Sequence, residues 1–283
     1  MRKHITASAM LTPSLFLVIL VLIMPLGLLA RYSLNAFVPG QFMVDALTGA
    51  NYLQSFTDPY YRQILLLTIL MSVGVTIVCL VIGFPMARFL ASTSSRYKSL
   101  LMLAIIMPLF VGNAVRAAGW MVAFGQEGLV NKILLFTGLI HAPIQMMYTT
   151  TAVFVGIVSI NLSFVVLTLQ SVLEGLNPSI EEASLSLGAN RFDTWRLVVI
   201  PMAMPGIAAA SILCLILTMN AYATPVLLGG PNFMMMAPAV ADQVLLQSNW
   251  PMGAALSFVL ILTTVVLTAL TYWYLKRRTA VAI

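Results

Sequence analysis

Glu181, Glu182, Arg191, Asp193 and Arg196 fall within sixteen positions of a 283-residue chain that is only 8% charged. They occupy the most polar internal run, from Asn177 to Pro205, with long apolar blocks on either side. Carboxylates and guanidiniums at this density make charge-assisted hydrogen bonds, which suits a contact surface on another molecule. Hydrolytic or metal chemistry finds no support. There is no H-E-x-x-H cluster, His4 and His141 are far apart in sequence, and no Ser/His dyad is suggested at membrane depth. Cys79 and Cys214 both sit in apolar segments, where thiols behave as small hydrophobes, and the polar context of a disulfide or metal site is missing. No phosphate loop of the form G-x4-G-K-[ST] occurs, and no Gly is followed by Lys anywhere, so the chain is not expected to hydrolyse ATP alone. No catalytic residue, metal ligand or cofactor is assigned to it.

The elements that must position this run are membrane spans. The chain is 61% hydrophobic with a mean hydropathy of +1.01, whereas a soluble domain carries about 25% charged residues. An apolar stretch of about 20 residues crosses a bilayer as a helix. Six such stretches are read, at about residues 11–30, 64–90, 100–124, 147–172, 203–228 and 254–275. The predicted fold is therefore an all-α integral membrane protein, one domain over residues 1–283. The first stretch follows a basic start, Met1-Arg-Lys-His4. It exceeds the ~7–15-residue core of a signal peptide and no small-x-small cleavage site follows, so a retained span is expected. Pro39-Gly40, Gly49-Ala50-Asn51 and Asp58-Pro59 mark turns, with a short surface helix expected over residues 51–58. The third stretch is interrupted by Pro108, Gly112, Asn113, Arg116 and Gly119.

Basic residues set the topology. With the N-terminus in the cytoplasm, the inner segments hold Arg2, Lys3, Arg88, Arg96, Lys98, Arg191, Arg196, Lys276, Arg277 and Arg278, and the outer ones Arg31, Arg62 and Lys132. Ten against three places both termini and the 177–201 segment in the cytoplasm. The net charge of +6 thus reports orientation, and nucleic acid is not implied.

Asn177-Pro178 is a helix start, with Asn capping and Pro at the first helical position; Ser179 and Glu182 are an alternative capping box. Glu181 and Glu182 lie where the helix dipole favours anions. Ile180, Ala183 and Leu187 share one face, and Gly188 stops the helix. A second helix is expected from Arg191 to Val199, running to Pro201. Ala183, Ser184, Gly188 and Ala189 keep the knob small enough for close approach. Two readings remain: a helix–glycine–helix docking knob, or an amphipathic loop along the headgroups, which Trp195 and the arginines also suit.

The run Glu182-Ala183-Ser184-x3-Gly188-x9-Val198-x-Ile200-Pro201 resembles the EAA motif of ABC importer membrane subunits, EAA-x3-G-x9-I-x-LP, with spacing intact from Glu to Pro. Ser184, Val198 and Ile200 depart mildly from it. The resemblance covers most of the chain. Ser55-Phe-Thr-Asp-Pro59, Val115-Arg116-x3-Trp120, Gly128-Leu-Val-Asn131, Pro205-Gly206 and Asn249-Trp-Pro-x-Gly-Ala-Ala255 are similar to the first permease of the spermidine/putrescine branch. The resemblance implies a type I, binding-protein-dependent importer permease in the bacterial cytoplasmic (inner) membrane. It implies an ATPase subunit pair that binds ATP and Mg, a second homologous permease subunit (a heterodimer favoured over a homodimer) and an extracytoplasmic solute-binding protein. Glu181, Glu182, Ala183, Ser184, Gly188, Ala189, Arg191 and Pro201 are the implied ATPase-docking residues, with Pro201 setting the angle at which the fifth span re-enters. A polyamine or related small organic solute is the implied cargo.

Polar side chains inside spans are costly and mark pathways. Asn113, Arg116 and Trp120 in span three, Asn161 and Ser163 in span four, and Asn220, Tyr222 and Thr224 in span five are the pathway candidates. Snorkelling suits Arg116 equally, and helix packing suits Asn161 and Asn220. No Asp or Glu sits near a span centre. A cationic solute would meet aromatic faces such as Trp120 and Tyr222, with acidic groups in the paired subunit or the binding protein. The competing classes are an importer permease for a non-polyamine solute, a secondary transporter, an intramembrane enzyme and a passive scaffold. A secondary transporter calls for intramembrane acids or an inverted repeat, and neither is evident.

Overall fold

The computed structural model describes Pro13 and residues 16–41, 43–93 and 95–280. In chain order the helices are α1 (Phe16–Ser33), α2 (Ala50–Thr57), α3 (Pro59–Ser92), α4 (Lys98–Ile106, followed by a 3₁₀ turn Met107–Phe110) and α5 (Asn113–Phe124). Then come α6 (Leu129–Phe136), α7 (Thr150–Glu174), α8 (Pro178–Ser186), α9 (Arg191–Met219), α10 (Ala223–Gly229), α11 (Met236–Leu246) and α12 (Trp250–Ala280). Among the described residues no strand forms; Ala36 and Val44 make one isolated antiparallel bridge. α1, α3, α7, α9 and α12 are each long and apolar enough to cross a bilayer, and the segments 98–110 and 113–136, bent by 102° at their junction, make a sixth crossing if they count as one span. The opening residues of the predicted first span, with Arg2, Lys3 and His4, lie outside the described residues, and α1 continues to Ser33.

Two compact units make up the chain: residues 1–63 with 239–261, and residues 64–238 with 262–283. In the first, the Asn51 amide donates to the carbonyls of Ser33 (2.8 Å) and Asn35 (2.9 Å), and the Ser33 and Tyr52 hydroxyls meet at 2.7 Å. Asn51 and Ser55 are buried on α2, so the predicted surface helix is fastened by its polar face. In the second unit, α7 and α9 pack along one another around Val165, Val166, Leu169, Ala203, Ala210 and Cys214, all fully buried. α10 lies against α7 at Gly156, where a Cβ would come within 2.7 Å of Leu228 and 2.8 Å of Thr224. Small residues permit such close crossings in a membrane, where packing drives association. Cys79 and Cys214 are both buried free thiols.

Several boundaries depart from the sequence reading. Span two begins at Pro59, five residues early, because Asp58 caps the helix through Tyr60 N–H (2.9 Å). Span three is two helices. After Pro108 the chain leaves helical geometry at Val111 and Gly112, and the segments 98–110 and 113–136 meet at 102°. The segment after α5 contains α6, held by buried Asn131. Its amide donates to the carbonyls of Gly125 (3.1 Å) and Ile144 (3.0 Å), and its Oδ1 accepts from Ile144 N–H (3.1 Å). The predicted Arg191–Val199 helix does not end near Pro201. It passes through a π turn, Trp195–Val199, and continues as span five. The wide turn makes room for a residue that lacks an N–H and crowds the preceding carbonyl. Span five in turn stops at Met219 and not near Leu228; residues 220–222 break it, and α10 restarts the chain. Pro225, third in α10, explains the break, since proline is tolerated in a first turn and not in a helix interior.

Replacing Asn131 by Ala strands two carbonyls and one N–H at no change in backbone path. A cost of about 1–3 kcal/mol is expected, read as a fall of several degrees in the thermal midpoint of the detergent-purified protein. An unchanged midpoint would show that water replaces the side chain.

Candidate functional site

The 177–201 segment is built by local rules. Asn177 Oδ1 accepts from Ser179 N–H at 3.1 Å, so Asn177 is the cap of α8 and the Ser179/Glu182 box is not used. At the other end Gly188 has φ +91°, with Gly188 N–H on Leu185 O (3.0 Å) and Ala189 N–H on Ser184 O (3.2 Å). That pair of bonds is the Schellman closure, which needs a left-handed residue. Asn190 then caps α9: its Oδ1 accepts from Asp193 N–H (2.8 Å) and its amide donates to Asp193 Oδ2 (2.6 Å).

The knob is fastened on one side and open on the other. Glu181 is ion-paired with Arg88 at the end of α3, each side chain about a quarter exposed. One turn earlier on α3, Phe84 meets Trp195 edge-on, with centroids 5.7 Å apart. Ser184 Oγ and Thr194 Oγ1 lie 3.1 Å apart, joining α8 to α9. Nearby, Lys98 at the start of α4 pairs with Glu174 at the end of α7 at 2.8 Å. Glu182, Ala183 and Arg191 are exposed, and no side-chain partner of Glu182 occurs among the described residues. Leu187 is 89% exposed and Phe192 63%. The outward face thus offers one free carboxylate among apolar side chains.

α9 connects this knob to a cavity. Its 29 residues span roughly 43 Å at 1.5 Å per residue, from Arg191 to Met219. Where it ends, the two broken spans border a cavity of about 770 Å³. Asn113, Arg116, Asn161, Asn220, Tyr222 and Thr224 line it, with Phe110, Ile157, Ile160, Phe164 and Leu217 among the apolar walls. Arg116 Nη2 donates to Asn113 Oδ1 at 2.6 Å. Buried Asn161 donates to Thr218 Oγ1 at 2.7 Å, and the Asn220 amide closes the end of α9 on Ile216 O at 2.8 Å. No Asp or Glu is among the lining residues. Such a volume, mostly apolar with a few convergent polar groups, suits a small organic molecule.

Residues 80–280 match the family described as "Binding-protein-dependent transport system inner membrane component". The chain belongs to this family. It is the permease component of an ABC importer, a transport subunit of the inner membrane. It is 34% identical over 238 residues to the spermidine/putrescine transport system permease protein PotB of Escherichia coli (strain K12), covering 83% of this chain and 85% of that one. It is 33% identical over 235 residues to the protein of the same name from Haemophilus influenzae, covering 83% and 81%. The fold is that of a bacterial alginate ABC transporter solved in complex with an alginate pentasaccharide-bound periplasmic protein. That match has a TM-score of 0.78 over 98% of this chain and 96% of the other, at 16% identity.

In this permease six of the eight pathway candidates named from sequence, all but Trp120 and Ser163, meet at one cavity. Trp120 does not line it. Its indole N–H donates to Ser159 Oγ (2.9 Å) and its ring stacks on Phe124 (4.8 Å), so it fastens α5 to α7. Ser163 is buried and also lies outside the lining. The sequence reading missed the apolar walls and the break that aims Asn220 and Tyr222; Pro225 was the signal available. It also grouped Glu181 with Glu182, whereas Arg88 occupies the first and leaves the second free.

Removing either partner, by Arg88→Gln or Glu181→Gln, leaves the other charge half-buried. A loss of about 1.5–3 kcal/mol is expected for each, and the exchange Arg88→Glu with Glu181→Arg should recover most of it. A double-mutant cycle on thermal unfolding reads the coupling; strictly additive single effects would dissolve the pair.

Proposed function

We propose that this permease forms a solute pathway with a second permease subunit and is driven by a separate ATPase pair that docks on residues 177–201. The termini and this segment face the cytoplasm, and an extracytoplasmic binding protein delivers the solute. A polyamine or related small organic solute is the cargo, a reading supported by the names of the relatives above. ATP and Mg are held by the ATPase partner, since this chain has no phosphate loop.

The observation that carries the coupling reading is the half-open knob. Glu182 on α8 and Leu187 just after its end are exposed, while Glu181, Trp195 and Thr194 tie the same knob to α3 and α9. A partner that grips the open face therefore moves a fastened body. α9 continues from that body without interruption to the cavity, so a tilt at Arg191 is delivered at Asn220. Ala183, Ser184, Gly188 and Ala189 let a partner's backbone come close, and Glu182 offers it a charge-assisted bond.

Glu182→Lys should abolish ATP-coupled uptake, a loss of about 100-fold or more if a desolvated charged contact is reversed, with normal amounts of permease in the membrane. Gly188→Val, which forces a β-branched residue to φ +91°, should act in the same direction. Uptake driven normally by ATP in both variants would sink the docking assignment.

A further inference from the structure

The cations of this chain are held in two different ways. Arg31, Arg88 and Lys98 take carboxylates, from Asp45, Glu181 and Glu174. Lys276 and Arg277 take aromatic rings. Arg277 Cζ lies 3.7 Å from the centroid of the Trp273 ring, over its face, and Lys276 Nζ lies 5.9 Å from that of Tyr272. A ring attracts a cation through its π face and leaves the charge in place. It also covers the plane of a guanidinium and not its edge, so the donor fork of Arg277 stays open to a bidentate oxyanion. Among the described residues neither Lys276 nor Arg277 pairs with an Asp or Glu, and the sequence holds no acid after Asp242.

The position of these pairs on α12 points to what the open fork meets. Leu262, Val266, Leu270, Trp273 and Arg277 recur three or four residues apart, which puts them on one helix face. The first four are 46–61% exposed, and Arg277 is exposed at the end of the series. Tyr272 and Lys276 lie beside them and are exposed as well. Four residues of helix rise about 6 Å, so each cation sits one turn beyond its ring. Aliphatic side chain, ring, cation is the order of one bilayer leaflet read outward: hydrocarbon, the interfacial level where Trp and Tyr concentrate, then phosphate.

We infer that this end of α12 binds the headgroup of an anionic phospholipid, with Arg277 and Lys276 on the phosphate and Trp273 and Tyr272 at the glycerol level. Two cations without a carboxylate select a headgroup of net negative charge over a zwitterionic one, whose ammonium meets like charge. The leaflet is the cytoplasmic one under the topology proposed above, on which that part of the inference rests. The headgroup contact fixes the depth at which the last span ends, as interfacial aromatic and basic anchors do.

The test uses the whole importer complex, purified in detergent and titrated with phosphatidylglycerol, phosphatidylcholine or inorganic phosphate. Bound ligand is counted by native mass spectrometry. The wild-type complex should retain phosphatidylglycerol in preference to phosphatidylcholine. Lys276→Gln with Arg277→Gln should weaken that retention by about tenfold or more, since each basic group near an anionic surface contributes separately. Trp273→Leu keeps both charges and an apolar side chain, and should weaken it by about threefold through loss of the ring. Lys132→Gln removes an exposed cation that has no ring contact and should change nothing. Equal retention of the two lipids overturns the inference, as does full retention in the double variant or an equal loss in Lys132→Gln. Inorganic phosphate that displaces the lipid at equal concentration overturns it too, by making the site one for a free anion. So does a double variant that keeps the lipid and loses the ATPase, which would assign this surface to a protein partner. Failure of the importer reading looks different: the wild-type complex then binds phosphatidylglycerol selectively and shows no ATP-driven uptake.

Discussion

Backbone amides inside a bilayer have no water to bond to, and the organisation of this permease follows from where that constraint is relaxed. A span can stop being helical only where its freed N–H and C=O groups face protein or a cavity. Here two spans stop, at residues 107–112 and at residues 220–222, and both breaks border the same cavity. The hydroxyls elsewhere obey the same rule by bonding to their own helices. Thr68, Ser72 and Thr76 each donate to the carbonyl four residues earlier, at 2.7–2.8 Å. Thr68 also accepts from Met236 N–H at 2.9 Å. Polar groups that are not satisfied locally therefore stand out, and Arg116 is foremost among them.

The second organising feature is continuity. α9 begins in the charged segment and ends at the cavity, with Pro201 absorbed by a π turn that lets the helix run on. Ion pair, ring contact and hydroxyl contact bind the knob to α3 and across to α9. Hydrogen bonds to charged groups are worth about 1.5–3 kcal/mol each, and these contacts together fasten α8 to α3 and α9. Gly188 gives the turn its shape and the open face its small profile.

Charge is sparse enough in this chain for each group to have an assignable place. Glu174 and Glu181 are consumed by Lys98 and Arg88, and Asp193 by the cap of α9. Glu182 on α8 is exposed with no side-chain partner among the described residues, while Arg116 on α5 lines the cavity with Nη2 on Asn113.

Hydropathy and the spacing of Asn177, Gly188 and Pro201 determined by themselves that the protein is a membrane-spanning bundle with one capped, glycine-turned polar knob. These are local or compositional properties: an apolar run has nowhere to go but lipid, Asn caps because its oxygen reaches two residues on, and Gly accepts a positive φ. Periodicity could not show that span five ends at Met219, because the residues on either side of the break are equally apolar. Nor could it separate Glu181 from Glu182, neighbours in sequence whose directions differ by the 100° of one helical step; only the packing of α3 against the knob gave the first a partner and left the second free. Tertiary structure likewise placed Trp120 outside the cavity lining, with its indole N–H on Ser159 of α7. It gathered Asn113, Arg116, Asn161, Asn220 and Tyr222, from three spans, around one cavity, because contacts between distant segments are set by how helices pack and not by the order in which residues occur.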